Sequence, residues 1–210
     1  MSRLARRFFA RDPVTLARAL LGQRLVRVLE DGTRLAGRIV ETEAYLGVED
    51  RASHSCGGRR TPRNAAMWGP AGHAYIYFIY GLHHCMNVVA EGAEQPSAVL
   101  IRALEPLEGL EAMRKHRAGK VHAARLGDTD LCSGPAKLAQ ALRLDRNLDG
   151  ADLVHGEALF LERGASVHRA RIIATPRIGV DYAGEWAATA LRFLEAGNPH
   201  VSGGPQPAPS

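Results

Sequence analysis

The chain has 210 residues, which is long enough for one domain with a substantial core. Hydrophobic and charged fractions of 46% and 23% are typical of an ordinary globular protein, and no apolar run approaches the ~18–20 residues of a membrane span. The net charge of +5 favours an anionic partner. Three widely spaced cysteines argue against a disulfide framework, so we expect a cytoplasmic protein. We also expect no secretory signal and no membrane partner.

The first predicted helix has a defined start and end. Asp12 is placed to cap it, Pro13 occupies its first position, and Gly22 ends it. Residues 1–12 form a basic lead-in before this helix.

A β-hairpin follows, and its second strand carries two carboxylates. Residues 23–29 and 34–45 alternate in polarity and are separated by Asp31-Gly32, a strong hairpin-turn signal. Period-2 alternation predicts four residues on one face of the second strand: Ile39, Glu41, Glu43 and Tyr45. That face is either a solvated edge or the wall of a site, and the strand pattern leaves both interpretations open.

Residues 47–72 are predicted to form a long irregular loop, which is typical of a binding or active site. Arg59, Arg60 and Arg63 lie around a glycine pair, where guanidinium and backbone N–H groups are suited to grip phosphates. A merely solvated basic loop is the alternative.

Residues 75–81 hold three tyrosines and one phenylalanine. Tyr75 and Tyr77 share one strand face, whereas Tyr80 is out of phase beside Gly81, where we expect a turn. A buried phenol needs a hydrogen-bond partner, so a strand built only for a core would favour Val and Ile. The pattern indicates a functional face and a functional tip, with a core role for Tyr75 and Tyr77 still open.

The rest of the chain predicts further strands and helices. The strands are expected at residues 85–90, 98–104, 159–161 and 170–174, and the helices at residues 105–117 and from a Ser133 cap onward. Residues 13–202 are predicted to form a single domain, and residues 203–210 a disordered tail because of their Gly and Pro content.

Common catalytic motifs are absent from the sequence, which has no GxGxxG before a helix, no GxxxxGK[ST], no HExxH and no GxSxG. His83, His84 and Cys85 are the densest metal-capable cluster, but neighbours on a strand point to opposite faces, so we predict no metal site. Glu43 beside Tyr45 instead suits an aromatic slot for a nucleobase, with the carboxylate as general base on water.

Several longer motifs run in order along most of the chain: LLG at 20–22, GRIVETEAYLG at 37–47, TPRN at 61–64, YIYFIYG at 75–81, CMN at 85–87, LIRALEPLEG at 100–109, LCSGPAK at 131–137, and RIGV with AGEW at 177–186. With these motifs the chain resembles the alkyladenine (3-methyladenine) DNA glycosylases of the mammalian alkylpurine-glycosylase type. With the predicted elements, the resemblance implies an α/β mixed (α+β) fold: a single domain whose curved, mainly antiparallel β-sheet is flanked by helices and carries a protruding β-hairpin.

The resemblance also implies an activity. A monofunctional enzyme would flip damaged purines out of double-stranded DNA and hydrolyse the N-glycosidic bond, leaving an abasic site. The implied substrates are 3-methyladenine and 7-methylguanine, with hypoxanthine and ethenoadenine as further candidates. We expect a monomer that needs no cofactor and no metal.

Residue roles follow from the same resemblance. Glu43 matches the general base and Arg102 an arginine near the attacking water; Glu41 is the competing base on strand parity, and the motif position favours Glu43. The implied base pocket comprises Tyr45, Ala52, His54, Tyr77, Asn87 and Ile178. Asn87 is expected to exclude the 2-amino group of guanine, Tyr80 to intercalate into the duplex, and Arg59, Arg63 and Lys137 are candidate phosphate contacts.

Two other functions remain open on the sequence. A non-catalytic DNA-binding module would use the same sheet and arginines, and a metal-dependent hydrolase would use His83, His84 and His54. Glu43 favours the enzyme over the binding module, because a carboxylate beside DNA weakens binding by repulsion.

Overall fold

The computed structural model describes residues 2–79, 81, 83–118 and 125–207. Its strands are β1 (Arg24–Val28), β2 (Arg34–Tyr45), β3 (Ala74–Ile79), β4 (His83–Val89), β5 (Ala98–Glu108), β6 (Leu159–Glu162), β7 (Ile172–Thr175) and β8 (Arg192–Glu195). Its α-helices within the described residues are α1 (Arg6–Phe9), α2 (Pro13–Leu20), α3 (Leu110–Arg117), α4 (Asp128–Leu131) and α5 (Pro135–Ala141).

One eight-stranded sheet organises the fold, and β2 and β5 form its centre. The strands follow the order β3-β4-β5-β2-β1-β6, and β8 pairs with both β2 and β7. β2 pairs with β5 over most of its length, with β1 at its start and with β8 near its end, always antiparallel. The predicted mixed α and β fold with a mainly antiparallel sheet is confirmed, and the β3–β4 hairpin lies at one edge of the sheet.

The register between β2 and β5 shifts twice near the middle of the sheet. Ile39 pairs with Leu104 and Glu41 with Ala103, so Val40 is an extra residue in β2; Thr42 then pairs with Ile101, so Arg102 is an extra residue in β5. Such bulges redirect side chains and are frequent next to active sites. The prediction that Ile39 shares a face with the glutamates is wrong, because the Val40 bulge turns Ile39 into the main core.

The two faces of the sheet carry different clusters. The main core lies between one face and the helices, with contributions from Leu16 of α2, Met113 of α3 and Leu138 of α5. Alternate residues on the opposite face build a second, aromatic cluster around Tyr75 and Tyr77. The helices therefore leave the aromatic face available for a cavity.

Both ends of the chain contact the domain. In the predicted lead-in, Leu4 and Phe9 are fully buried in the main core. In the predicted tail, the Gln206 carbonyl accepts a hydrogen bond from the Gly197 N–H at 2.7 Å. Residues 208–210 of that tail lie outside the described part.

Local signals predicted some element boundaries and missed others. The Asp12 cap is confirmed, since its carboxylate accepts a 2.8 Å hydrogen bond from the Thr15 N–H. The helix expected from residue 105 is wrong at its start, because β5 stays paired with β2 through Glu108 and α3 begins at Leu110.

The predicted Ser133 cap is also wrong. Gly134 occupies the N-cap position of α5, without a side-chain cap. The Ser133 hydroxyl instead accepts a 3.2 Å hydrogen bond from the ammonium of Lys137.

Within the ranges described above, no helix has both the length and the apolar character needed to cross a membrane.

Gly22 gives a direct test of how α2 joins the sheet. Its φ is +86°, and an added Cβ would lie 2.0 Å from the carbonyl oxygen of Ala165. The Gly22→Ala variant should therefore combine a positive-φ penalty of about 1–2 kcal/mol with an overpacking penalty of about 1–3 kcal/mol. Urea denaturation measures the change in the free energy of unfolding.

Gly32 is the matched control, because its φ is +81° but an added Cβ meets nothing within 4 Å. Gly32→Ala should carry only the positive-φ penalty. Equal destabilisation of the two variants would contradict the close approach at Gly22.

Candidate active site

A cavity of about 320 Å³ lies on the aromatic face of the sheet. It is lined by all six residues of the predicted base pocket, together with Arg102 from β5: Tyr45, Ala52, His54, Tyr77, Asn87 and Ile178. These residues come from β2, the long loop, β3, β4 and the segment after β7. The volume is within the range of small-molecule sites, roughly 300–1,000 Å³.

Glu43 lies directly behind this lining and is fully buried. One carboxylate oxygen accepts a 2.8 Å hydrogen bond from the Ile178 N–H and forms a 3.0 Å ion pair with the Arg102 guanidinium. The other oxygen accepts a 3.0 Å hydrogen bond from the Tyr45 hydroxyl. All three partners belong to cavity-lining residues, so the carboxylate is fixed one layer from the cavity.

Arg102 joins the two glutamates of β2. Its Nε donates to Glu41 at 2.8 Å, and its Nη1 lies 3.0 Å from Glu43. Burial lowers the pKa of Arg102, but the carboxylates of Glu43 and Glu41 outweigh it and raise that pKa above its ordinary value. The guanidinium is therefore a permanent positive charge between two carboxylates.

The solvated-edge interpretation of the two glutamates is wrong, because both are fully buried. Glu41 bonds to one lining residue, Arg102, and otherwise to Arg192 and Ser202, which do not line the cavity. Glu43 contacts three lining residues, so it is the carboxylate of the pair with the closer link to the cavity.

His54, Tyr75 and Tyr77 form the aromatic wall. The His54 and Tyr77 rings meet edge to face with centroids 4.5 Å apart, and Tyr75 lies 5.4 Å from Tyr77 on the same strand face. The His54 Nδ1 lies 2.7 Å from the Tyr75 hydroxyl. Tyr75 is 1% exposed, so it is both a core residue and the polar partner of His54.

The titratable groups of the wall are held neutral. Burial, with a smaller contribution from Arg63 and Arg59, lowers the pKa of His54 to about 4. Burial, with a smaller contribution from Cys85, raises the pKa of Tyr77 well above its ordinary value. At neutral pH the wall therefore presents an uncharged imidazole and protonated phenols.

Asn87 and Cys85 lie opposite the tyrosines in the β3–β4 register. Asn87 pairs with Tyr75, and its side-chain amide donates a 3.1 Å hydrogen bond to the Tyr75 carbonyl. Cys85 pairs with Tyr77 and also lines the cavity. The sequence motifs predicted no place for Cys85 in the base pocket, although the pairing of β4 with β3 puts it opposite Tyr77.

A buried ion pair between Asp50 and Arg177 was also missed. The two side chains are fully buried and make two hydrogen bonds, of 2.5 and 2.8 Å. Asp50 also accepts the N–H of Ala52 at 3.0 Å, and Arg177 donates to the Ala44 carbonyl at 2.9 Å. Since Ala52 and Ile178 are neighbours of this pair in sequence, it fixes two walls of the cavity to β2.

The candidate phosphate contacts occupy different places. Arg59 and Arg63 line a second cavity that also contacts His54, and Arg63 donates a 3.0 Å hydrogen bond to the Phe78 carbonyl. Lys137 is half-buried against Ser133 and lines neither cavity. Tyr80 lies outside the described residues, so its intercalating role stays a prediction.

His83 and His84 line a different cavity together with His116, and His83 also lines the cavity of the base pocket. Among the residues that the structure places, no group of three or more His, Cys, Asp or Glu side chains is arranged to hold a metal ion.

Comparison with known proteins gives consistent matches. The family described as methylpurine-DNA glycosylase matches residues 7–199. The chain is 54% identical to a DNA-3-methyladenine glycosylase of Mus musculus, over 95% of this chain and 61% of the relative. It is 52% identical to the protein of the same name from Homo sapiens, over 96% and 68%. It is 45% identical to a putative 3-methyladenine DNA glycosylase of Clostridium acetobutylicum, over 95% and 97%.

The chain therefore spans 61% and 68% of the length of these two mammalian relatives and 97% of the bacterial one.

The Asp50–Arg177 pair predicts a stability effect. Asp50→Asn leaves the Arg177 charge buried without its partner, so the free energy of unfolding should fall by about 3–5 kcal/mol. The control is Glu94→Gln, which breaks the exposed 2.8 Å pair with Arg60 and should cost at most about 1 kcal/mol. Denaturation curves of the two variants measure both changes, and equal losses would contradict a structural role for the buried pair.

His54 predicts a pH effect on stability. Its pKa is about 4 in the folded protein against an ordinary value of 6.5, so the unfolded chain binds more protons between these values. Stability should therefore fall as the pH drops from about 6.5 to about 4. His54→Gln should make this part of the stability–pH curve shallower, as measured by urea denaturation at several pH values.

His155→Gln removes an exposed histidine and serves as the control, with the wild-type slope expected. A wild-type slope in His54→Gln would contradict the neutral buried imidazole.

Proposed function

This chain belongs to the methylpurine-DNA glycosylase family, and we propose that it is a monofunctional DNA glycosylase that excises alkylated purines from double-stranded DNA. The observation that carries the proposal is the buried carboxylate of Glu43, held behind the lining of an aromatic cavity by two hydrogen bonds and an ion pair. Activity at a base inside a duplex requires that the base leave the stack, and the enclosed cavity fits a flipped nucleotide.

The aromatic wall favours a cationic purine. Alkylation at N3 or N7 gives the purine a positive charge, and a cation is attracted to the faces of aromatic rings. Tyr45, His54 and Tyr77 supply such rings and line the cavity. The wall itself adds no positive charge, because burial lowers the pKa of His54 to about 4.

Glu43 is the proposed general base. A water molecule coming from the cavity would approach it between Tyr45, Arg102 and Ile178, the residues that now bond to its oxygens. The carboxylate would orient and deprotonate this water and stabilise the positive charge that develops on the sugar. Arg102 would hold the carboxylate and the water in place.

The same site limits which damaged purines can be released. An alkylated cation leaves as a neutral base and needs no acid, whereas hypoxanthine or ethenoadenine needs a proton on the leaving group. Neither a neutral His54 nor a protonated phenol is a strong acid, so 3-methyladenine and 7-methylguanine are the favoured substrates. Asn87, anchored to the Tyr75 carbonyl, would meet the 2-amino group of a normal guanine.

DNA binding would use the surface around the cavity. The chain carries a net charge of +5, and Arg59 and Arg63, which line the neighbouring cavity beside His54, are the proposed contacts to DNA phosphates. Tyr80 is proposed to fill the gap in the duplex. Counterion release makes such binding steeply salt-dependent.

Glu43→Gln tests the proposal. This variant keeps the shape of the side chain and removes the base, so release of 3-methyladenine from methylated duplex DNA should fall by roughly the 10²–10⁴-fold that a general base contributes. Binding to a duplex with an abasic-site analogue should be preserved. Chromatography of the released base and fluorescence anisotropy measure the two quantities.

The control is Glu49→Gln, which neutralises an exposed glutamate of the loop that follows β2 and should leave release unchanged. Near-normal release by Glu43→Gln would contradict the general-base role. Wild-type protein that binds DNA but releases no base would favour the non-catalytic binding module, and loss of release in excess EDTA would favour a metal-dependent hydrolase.

A further inference from the structure

We infer that Glu41, Arg192 and Ser202 form a positioning network that holds the Arg102 guanidinium against Glu43. The inference rests on the proposed function, because it assigns these residues to the orientation of the proposed general base. None of the three touches the cavity, so they are positioning residues that act through Arg102.

Glu41 is the hub of this network. One of its oxygens accepts hydrogen bonds from Arg102 Nε at 2.8 Å, Arg192 Nε at 2.6 Å and the Ser202 hydroxyl at 2.7 Å. The other accepts the Ser202 N–H at 2.7 Å. Arg192 also donates to the Ser202 carbonyl at 3.2 Å, which closes the network on itself. Strands β2, β5 and β8 and a segment near the chain end therefore meet at one buried carboxylate.

Arg102 needs this anchor because of its position at a register shift in β5. It is the extra residue of β5 at the register shift, so the regular pleat does not determine its direction. The guanidinium is planar and rigid, and its Nε and Nη1 groups have a fixed relation to each other. Fixing Nε on Glu41 therefore sets the position of Nη1, 3.0 Å from Glu43.

Charge balance gives the network a second effect on Glu43. Two carboxylates, Glu41 and Glu43, are buried with two guanidinium groups, Arg102 and Arg192. Buried charges require such pairing. Without the Glu41 charge, Glu43 would be the only carboxylate paired with Arg102, so its ionised form would be stabilised and its reactivity toward a water proton reduced.

Four other groups face Glu43, and loss of the Glu41 charge leaves them unchanged. They are Tyr45 of β2, Tyr77 of β3, Cys85 of β4, and Arg177 from the segment after β7.

A second buried glutamate provides the matched control. Glu195 of β8 is 5% exposed and also contacts two arginines, Arg38 at 2.7 Å and Arg171 at 3.3 Å. It has no contact with Arg102 or Glu43 among its ion pairs and hydrogen bonds. Glu195→Gln therefore reproduces the loss of a buried carboxylate without touching the proposed network.

The main experiment compares Glu41→Gln with Glu195→Gln. Single-turnover release of 3-methyladenine is measured against pH with saturating enzyme, and binding to an abasic-analogue duplex is measured in parallel. For Glu41→Gln we expect a plateau rate roughly 10- to 100-fold below wild type, part of the contribution of a general base, and an acidic limb displaced to lower pH. Binding should stay within about twofold, because Glu41, Arg192 and Ser202 do not line the cavity.

Glu195→Gln should keep the wild-type rate and pH profile. Equal behaviour of the two variants, or a loss of rate in Glu41→Gln matched by a loss of DNA binding, would overturn the positioning role and leave Glu41 as a purely structural residue.

A second measurement does not depend on activity. Nitrogen-15 NMR of arginine Nε–H groups, with the Arg102 signal assigned from Arg102→Lys, reports the hydrogen bond to Glu41 directly. The Arg102 signal should shift and exchange faster with solvent in Glu41→Gln and stay unchanged in Glu195→Gln. If the wild-type protein releases no base, the proposed function fails, but the Arg102 signal still tests whether Glu41 holds Arg102. If that signal is unchanged in Glu41→Gln, the positioning network is overturned even if the enzyme is active.

Glu41→Asp covers the case in which Glu41→Gln does not fold. It retains the negative charge and shortens the reach to Arg102 Nε by one methylene. The plateau rate should fall while the acidic limb keeps its wild-type position. A wild-type rate in folded Glu41→Asp, checked by circular dichroism, would contradict the geometric part of the inference.

Discussion

The guanidinium of Arg102, shared between Glu41 and Glu43 in the middle of the sheet, is the constraint on which the site depends. All three side chains are buried, and a buried charge is tolerated only when it is paired and hydrogen-bonded. The two register shifts between β2 and β5 place them together, since regular pairing would not bring Arg102 between both glutamates. The most costly electrostatic arrangement of the fold is therefore also the one that places a carboxylate at the cavity wall.

A second buried ion pair, between Asp50 and Arg177, fixes the loops of the site, just as the contacts of Arg102 with Glu41 and Glu43 fix its strands. Asp50 and Arg177 are 127 residues apart in sequence and bond to each other without exposure to solvent. Through the Ala44 carbonyl this pair is tied to β2, one residue from Glu43. The long loop and the segment after β7 are thereby held as walls of the same cavity, and Ile178 is placed to donate its N–H to Glu43. A site made largely of loops gains the rigidity of the sheet in this way.

Tyr75 and Tyr77 of β3 share one face and both contact His54. Tyr77 and Tyr75 both line the cavity, and the Tyr75 hydroxyl is bonded to His54. The neutral state of His54 and the protonated state of the phenols follow from burial. The Arg102 charge in the lining is paired with two carboxylates, and the rings themselves are uncharged. Attraction of a cation to these rings links the wall to the alkylated purines of the proposed function.

Local sequence determined the features that need only near neighbours: the Asp12 cap, the turn at Asp31-Gly32, the shared face of Tyr75 and Tyr77 in β3, and, through motif resemblance, six of the residues that line the cavity. It failed for α3, where strand pairing overrode helix signals, and for β8, a short strand whose charged ends, Arg192 and Glu195, are buried in ion pairs. Only the tertiary structure decided the bulges at Val40 and Arg102, the Asp50–Arg177 pair and the burial of both glutamates. Periodicity carries no information about which distant arginine a glutamate will meet, because that depends on strand register and on the low dielectric of the assembled core.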